Sequence, residues 1–377
     1  LKGTTSLRLA GSPEGAPLQD RFTKAYEYSD CWIEDSRLVV LNARDAETRG
    51  ARINVRTKVL SAEQVDGNWH VTVQAQHSGK QRLIVARMIV NAGGPWVENV
   101  IRNTARINST EGVRLVRGSH IVTHKLYDHD KCYFFQGEDG RIIFTIPYET
   151  DFTLIGTTDA DHADVNEKPV CTPEEQAYLL NFASKYLKKP VTKDDIVWTY
   201  SGVRPLYDDG ATSATAATRD YVLKVDESAG APILNVFGGK ITTYRKLAES
   251  ALEKIAPFFP NSGKPWTAGV PLPGGDFAVD GVLALKDQLI DQYPFLSERW
   301  VARLIKAYGG EAAEVLGGAK SKADLGCAFG ADLTEREVMW LVEKEFARNA
   351  EDIVWRRSKL GLKLTKQEID LLDEWMA

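Results

Sequence analysis

NVFGGKITTYRKLAE, residues 235–249, is the stretch on which the reading of this chain turns. Residues 233–237 are a short apolar run of strand character. From Thr242 onward the pattern is helical, with Leu247, Ala248, Ala251 and Ile255 on one face. Gly238 and Gly239 occupy the bend between the two. Glycine accepts positive φ and has no Cβ to hold a ligand away, and the amides of a helix start favour an anion or an electron-rich ring edge. Two readings are open: a tight strand-to-helix turn, or a bend against which a ligand lies.

A second junction of the same kind lies upstream. Residues 33–48 read as a helix ended by Gly50, 51–59 as a strand, and 69–76 and 83–90 as further strands set off by Asp66-Gly67-Asn68 and Ser78-Gly79-Lys80. The last of these runs into Asn91-Ala92-Gly93-Gly94-Pro95-Trp96, where Pro95 suits the first turn of a helix through Ile101. Between the junctions, short alternating runs at 117–124, 132–136, 142–147, 153–156, 196–205 and 218–225 predict a mostly antiparallel sheet. One helix interrupts them, opened by Thr172-Pro173-Glu174-Glu175, in which Thr172 and Glu175 suit a capping box. Pro265, Pro271, Pro273, Gly274 and Gly275 mark a linker, and beyond about residue 277 the pattern is helical throughout, with Thr334–Glu337 and Thr365–Glu368 as further expected capping boxes.

Composition narrows the classes. At 377 residues the chain is long enough for two or three domains. With 47 basic against 52 acidic residues the formal net charge is −5, without the basic field of a nucleic-acid binder. Cys31, Cys132, Cys171 and Cys327 are far apart and form no CxxC, which suits packing thiols better than a zinc site or a disulfide framework. No run of about 18 apolar residues reads as a membrane span. Neither GxGxxG nor GxxxxGK[ST] occurs, so the sequence shows neither a dinucleotide fingerprint nor a nucleoside-triphosphate loop.

Four side chains are candidates for chemistry. In Tyr200-Ser201-Gly202-Val203-Arg204-Pro205 a strand puts Tyr200, Gly202 and Arg204 on one face, and the planar guanidinium of Arg204 suits a phosphate or carboxylate; a surface ion pair is the plainer reading. Arg219 is a second anion-binding candidate, with Asp220 beside it to balance its charge. His120, just past Gly118, titrates in the range that lets it take a hydroxyl proton, or is a satisfied structural histidine. Lys240 could hold an anion or polarise a ring carbonyl, or point to solvent. His120, His124 and His129 lack helical metal-ligand spacing, and no metal is expected.

Tyr28-Ser29-Asp30-Cys31-Trp32, Asn91-Ala92-Gly93-Gly94-Pro95-Trp96, Gly118-Ser119-His120, Ile155-Gly156-Thr157-Thr158-Asp159, Trp198 to Pro205 and Phe237 to Glu249 occur in that order, followed by Asp324-Leu325-Gly326 and Trp355-Arg356-Arg357. Together they closely resemble the FAD-dependent, aerobic type of glycerol-3-phosphate dehydrogenase over nearly the whole chain. The resemblance implies an α/β plus α+β fold in three parts. These are a partial FAD-binding Rossmann-like domain (1–105 and 221–262), an antiparallel-sheet substrate-binding domain (106–220) and a C-terminal all-α domain (270–377). It also implies that the pyrophosphate-binding strand and glycine turn precede Leu1, so that the chain is a fragment. Gly93 stands where the family more often has Thr.

The cofactor implied is FAD, approached by Ala92, Gly93 and Trp96 at one bend and by Gly238, Gly239, Lys240, Ile241 and Thr242 at the other, with Val59 near its adenosine end. His120, Arg204 and Lys240 match positions lining the family's substrate pocket, with Arg219 nearby: Arg204 for the phosphate of glycerol 3-phosphate, His120 for the hydroxyl proton, Lys240 for charge at the flavin side. The implied reaction is oxidation of sn-glycerol 3-phosphate to dihydroxyacetone phosphate, with electrons passed to the membrane quinone pool. A peripheral cytoplasmic protein on the inner face of the cytoplasmic membrane, with a homodimer as its assembly, is the corresponding expectation. The rivals are an oxidase of the same fold that reduces oxygen, and a non-catalytic fragment serving partner or membrane binding.

Overall fold

The computed structural model describes residues 3–138, 140–208, 220–261 and 263–377. A hairpin of Thr5–Arg8 (β1) and Lys24–Glu27 (β2) precedes helix α1 (Asp35–Thr48). The strands Thr57–Val65 (β3), Asn68–Ala75 (β4) and Gln81–Ala86 (β5) follow as an antiparallel meander. Two expectations are corrected here. The strand expected over 51–59 begins only at Thr57 and runs on to Val65. The strand expected over 83–90 is two strands, because β5 ends at Ala86 and Ile89–Asn91 (β6) enters a different sheet. The break falls at Arg87, whose guanidinium lies over the Phe259 ring at 4.5 Å. Pro95 then opens a helical stretch through Val97–Asn99 (α2), which buries Val97 and Ile101.

The strands Val113–His124 (β7), Tyr133–Gln136 (β8), Ile142–Tyr148 (β9), Phe152–Gly156 (β10) and Ala160–Asp161 (β11), then helix α3 (Pro173–Ser184) and strand Ile196–Tyr207 (β12), make the middle of the chain. They form the expected antiparallel sheet, with β7 at its centre between β12 on one side and β10 and β11 on the other, but the run expected over 218–225 is not part of it, since its residues from Val222 join a smaller sheet. Helix α3 forms for the reason the sequence suggests: Pro173 sits in its first turn, and Thr172 and Glu175 make both hydrogen bonds of the capping box. Its Leu179 and Ala183 are fully buried with Ile121, Ile155 and Ile143 on one face of the sheet. Side chains alternate across a strand, so His120, Tyr200 and Arg204 share the opposite face.

A smaller sheet carries both glycine bends. Val222–Asp226 (β13) pairs antiparallel with Ile233–Phe237 (β14), and β14 pairs in parallel with β6, Asn235 opposite Asn91. Both parallel strands end in a glycine turn, and β14 leads into helix α4 (Tyr244–Ile255).

The chain divides into two compact units, residues 1–30 with 56–265 and residues 31–55 with 266–377. The second unit differs from the expected division, because α1 belongs with the C-terminal helices rather than with the cofactor strands. Its helices are Val282–Gln292 (α5), Glu298–Tyr308 (α6), Ala312–Leu316 (α7), Glu335–Lys344 (α8) and Lys366–Met376 (α9), with one short strand pairing of Ala328–Gly330 and Leu333–Thr334 that the helical pattern concealed. Two arginines of α1 carry the attachment. Arg37 pairs with Glu345, whose side chain is fully buried, and Arg44 makes two 2.8 Å bonds to Glu311. The capping box expected at Thr365 and Glu368 is present, whereas Thr334 makes no side-chain cap. Glu337 turns inward instead, accepting two 2.7 Å bonds from Arg303 and one from Tyr308.

Removing one partner of a buried ion pair strands the other charge, at a cost of roughly 3–5 kcal/mol. Glu345→Ala is therefore expected to lower the unfolding free energy of the helical unit by that order, which shows as a lower denaturant midpoint. A midpoint within the error of wild type in urea titration would show that Arg37 does not depend on this carboxylate.

Candidate active site

Cross-strand register builds the site. On β7, His120 stands opposite Gly156 of β10 on one side and Tyr200 of β12 on the other. The imidazole stacks on the Tyr200 ring, centroids 4.8 Å apart and planes within 6°. On the Gly156 side it fits because there is no Cβ: a methyl there would lie 2.0 Å from His120 Cδ2 and 2.6 Å from Nε2. Gly118 makes room in the same way, since its Cβ would fall 2.7 Å from an Arg204 guanidinium nitrogen.

Arg204 is held from the turn after β10. Its Nη1 donates to Asp159 Oδ1 at 2.5 Å and its Nη2 to Thr157 Oγ1 at 3.3 Å. The plainer expectation for this residue, an ion pair, is thus met in part. The side chain remains 39% exposed, and a guanidinium has five N–H groups, so the pairing aims the group without using it up.

His120 carries the clearest electrostatic signature. Its Nδ1 is shut off from solvent and meets no hydrogen-bond partner among the described residues. Leaving a buried polar atom unpaired costs roughly 1–3 kcal/mol. Arg37 Nε, Trp300 Nε1, Arg303 Nε and Trp340 Nε1 are buried in the same way, so what sets His120 apart is its place beside Arg204. Burial, and then the positive charge of Arg204, pushes the imidazole down to about 4. The ring is therefore neutral throughout the neutral pH range.

The bends lie close by. Gly238, at φ +65°, has its absent Cβ position 3.1 Å from Asp220 O and 3.7 Å from Pro205 O, next to Arg204 in the chain. Gly239 is at φ +99° and Gly94 at +54°, so each bend requires the left-handed backbone that glycine supplies. The junctions are stitched together by buried side chains: Asn91 Nδ2 donates to Asn235 Oδ1 and to Val97 O, both at 2.9 Å. Trp96 and Ile241 are exposed beside them, as are Ala92, Lys240 and Thr242. Lys240 takes an extended conformation just before the turn Ile241–Thr243. Two adjacent parallel strands ending in glycine turns at helix starts are where open α/β sheets bind nucleotide cofactors, so this cradle fits the edge of a flavin. Val59 is exposed on β3, at an irregularity in the meander. Arg219 lies outside the described residues.

Comparison with known proteins decides the family. A model of FAD dependent oxidoreductases matches residues 6–245, and one of the C-terminal domain of alpha-glycerophosphate oxidase matches residues 265–377. Aligned over the whole of this chain are D-erythritol 1-phosphate dehydrogenase of Brucella abortus (44% identical, 75% of its length) and glycerol-3-phosphate dehydrogenase of Pseudomonas aeruginosa (43%, 73% of its length). The aerobic glycerol-3-phosphate dehydrogenase of Escherichia coli is 40% identical, with 74% of its length covered. The chain belongs to the FAD-dependent glycerol-3-phosphate dehydrogenase family. The structure of the Bacillus halodurans glycerol-3-phosphate dehydrogenase complexed with FAD shares the fold, with a TM-score of 0.76 over 99% of this chain and 81% of that one, at 22% identity.

Within this flavoenzyme family the site holds residues that sequence reading passed over. Asp159 and Thr157 appear in the sequence only within the motif 155–159, yet they orient Arg204. Asn235 could have been noticed, because an amide inside a five-residue strand buried at every position needs a buried partner. Glu175 read only as half of a capping box, and its second oxygen has other partners, described below.

A neutral imidazole in the folded state, with an ordinary value of 6.5 when unfolded, contributes stability above about pH 6.5 that is lost as pH falls toward 4. A proton NMR titration of His120 should show its midpoint near pH 4. In Gly156→Ala the methyl expels the ring, and the midpoint should move up toward the ordinary histidine range. An unchanged midpoint would mean that the register contact with Gly156 does not hold the imidazole.

Proposed function

We propose that the protein oxidises the secondary hydroxyl of sn-glycerol 3-phosphate, giving dihydroxyacetone phosphate, with FAD as the hydride acceptor and the membrane quinone pool as the next acceptor of electrons. The observation that carries this reading is the neutral imidazole of His120 and the aimed guanidinium of Arg204 on neighbouring strands, one residue from the backbone that packs on Gly238. Bound FAD would supply the two-electron acceptor for the hydride. Ala92, Gly93 and Trp96 from one bend and Gly238, Gly239, Lys240, Ile241 and Thr242 from the other would hold it, with Val59 toward the adenosine end.

The chain's own groups divide the remaining work. Arg204 takes the substrate phosphate through N–H groups that Asp159 and Thr157 leave over, fixing the three-carbon backbone in one orientation. With Nδ1 closed off, Nε2 is the nitrogen of His120 left to accept the hydroxyl proton. A phosphate at Arg204 offsets the charge that depresses His120, so substrate binding raises the basicity of the imidazole at the moment it is needed. Lys240 adds positive charge at the flavin side, and family resemblance assigns Arg219 to substrate binding.

A second substrate reading has a specific basis. The Brucella abortus relative, named for D-erythritol 1-phosphate, is as similar as those named for glycerol 3-phosphate. Arg204 and His120 recognise a phosphate and a hydroxyl and do not measure chain length. Comparing kcat/KM for the two polyol phosphates ranks them.

The acceptor is assigned to quinone by family resemblance. Oxygen uptake with no added acceptor would instead favour the oxidase reading, and colourless protein that gains no activity with FAD would favour a non-catalytic fragment. No helix among the described residues is long and apolar enough to cross a membrane. The proposed location is peripheral, on the inner face of the cytoplasmic membrane, with a homodimer as the proposed assembly. The proposed domain division keeps residues 106–220 as the substrate-binding part.

Arg204→Ala in FAD-loaded protein is expected to raise KM for glycerol 3-phosphate about 100-fold, the order of two charge-assisted hydrogen bonds, and to leave KM for glycerol almost unchanged. Equal effects on both substrates would remove Arg204 from phosphate recognition.

A further inference from the structure

The chemistry above uses one face of the antiparallel sheet. Glu175 sits against the other, in the first turn of α3, where a capping box requires only one of its carboxylate oxygens. Oε2 does that work, accepting the Thr172 amide at 3.0 Å, with Arg117 also 3.2 Å away. Oε1 has three partners, Arg117 Nε at 3.5 Å among them. It accepts the Ser119 hydroxyl at 2.9 Å and the Thr158 hydroxyl at 2.7 Å.

Both hydroxyls stand next to the reactive groups in sequence. Ser119 lies between Gly118, which admits the Arg204 guanidinium, and His120, and its hydroxyl also bonds Ser201 of β12 at 2.8 Å. Thr158 lies between Thr157 and Asp159, the two residues that hold Arg204. Thr158 is also tied to β7, since its Oγ1 accepts the Ser119 amide at 2.9 Å and its own amide donates to Ser119 O at 3.3 Å. The carboxylate therefore fastens the 157–159 turn to the strand that bears the imidazole.

We infer that Glu175 is a positioning residue for anion recognition: through Thr158 it fixes the turn whose Thr157 and Asp159 aim Arg204 at the substrate phosphate. The inference rests on the reading of Arg204 as the phosphate-binding group. Burial favours the neutral acid, but the Thr172 amide, the two hydroxyls and Arg117 outweigh it and hold the carboxyl below its usual range, so it stays an acceptor near neutral pH. A carboxamide in its place would turn donors toward donors on one of its two sides. Glu175 touches neither reacting atom, so its loss should weaken phosphate binding more than turnover.

The test uses Glu175→Gln and Thr158→Val, the second of which leaves the helix cap intact. Three measurements are made: inorganic phosphate binding by calorimetry, KM and kcat for glycerol 3-phosphate, and flavin content by absorbance. Both variants should bind phosphate roughly tenfold more weakly and raise KM by a similar factor, with kcat within about twofold and flavin content unchanged. Unaltered phosphate affinity in both, or weakening in Glu175→Gln that Thr158→Val does not reproduce, would reduce Glu175 to a helix cap. The phosphate measurement is independent of which polyol is oxidised. Wild type that binds phosphate yet leaves glycerol 3-phosphate untouched would therefore overturn the substrate assignment while still deciding the role of Glu175.

Discussion

Everything in the site depends on the register of one strand. Because side chains alternate with a period of two, a one-residue slip of β7 would turn His120 onto the face covered by α3 and bring Ser119 to the reactive side. That slip is opposed from both directions. On the covered face it would expel Ile121 from the cluster formed with Ile155, Leu179 and Ala183. On the open face it would lose the two places, at Gly156 and Gly118, where an absent Cβ admits an imidazole and a guanidinium. The hydrophobic core thus fixes the chemistry indirectly: it sets which residues of the strand look outward.

The polar groups follow a consistent division. Asn91 with Asn235 and Glu175 with its two hydroxyl donors are buried and hydrogen-bonded, as buried polar groups must be if they are not to cost stability. His120 Nδ1 departs from this pattern, as do Arg37 Nε, Arg303 Nε and the indole nitrogens of Trp300 and Trp340, but His120 lies where catalysis is proposed. Placing a neutral base beside a fixed positive charge is unfavourable for proton uptake in the free protein. The same arrangement becomes favourable once an anion occupies the guanidinium, so substrate binding and base strength are coupled through one electrostatic contact. The helical unit uses charge differently: Arg37, Arg44 and Arg303 are matched by Glu345, Glu311 and Glu337 at short range, one buried pair and two part-buried ones that fix helix positions.

Much of this was legible in the sequence because it is local. The two glycine bends, the alternating strands from Val113 to Tyr207, the capping box at Thr172 and the shared face of Tyr200, Gly202 and Arg204 are patterns within a few residues. What escaped depends on partners far away in the chain. Helix α1 was grouped with the strands beside it because nothing local shows that Arg37 and Arg44 meet Glu345 and Glu311. Thr334 and Glu337 have capping-box spacing, but two bonds from Arg303 outcompete one cap. The break between β5 and β6 is equally non-local, since β6 is drawn into pairing with β14 more than a hundred residues on. Asp159 and Glu175 escaped for the same reason, since their partners Arg204 and Ser119 lie on β12 and β7.

The central claim is that the paired glycine bends hold a flavin within reach of a polyol phosphate gripped by Arg204. The most direct measurement is the visible absorbance spectrum of the FAD-reconstituted protein under anaerobic conditions, before and after one equivalent of sn-glycerol 3-phosphate. The oxidised flavin bands should be lost on mixing and recover when a quinone is added. Flavin that binds tightly and keeps its oxidised spectrum in excess substrate would contradict that claim.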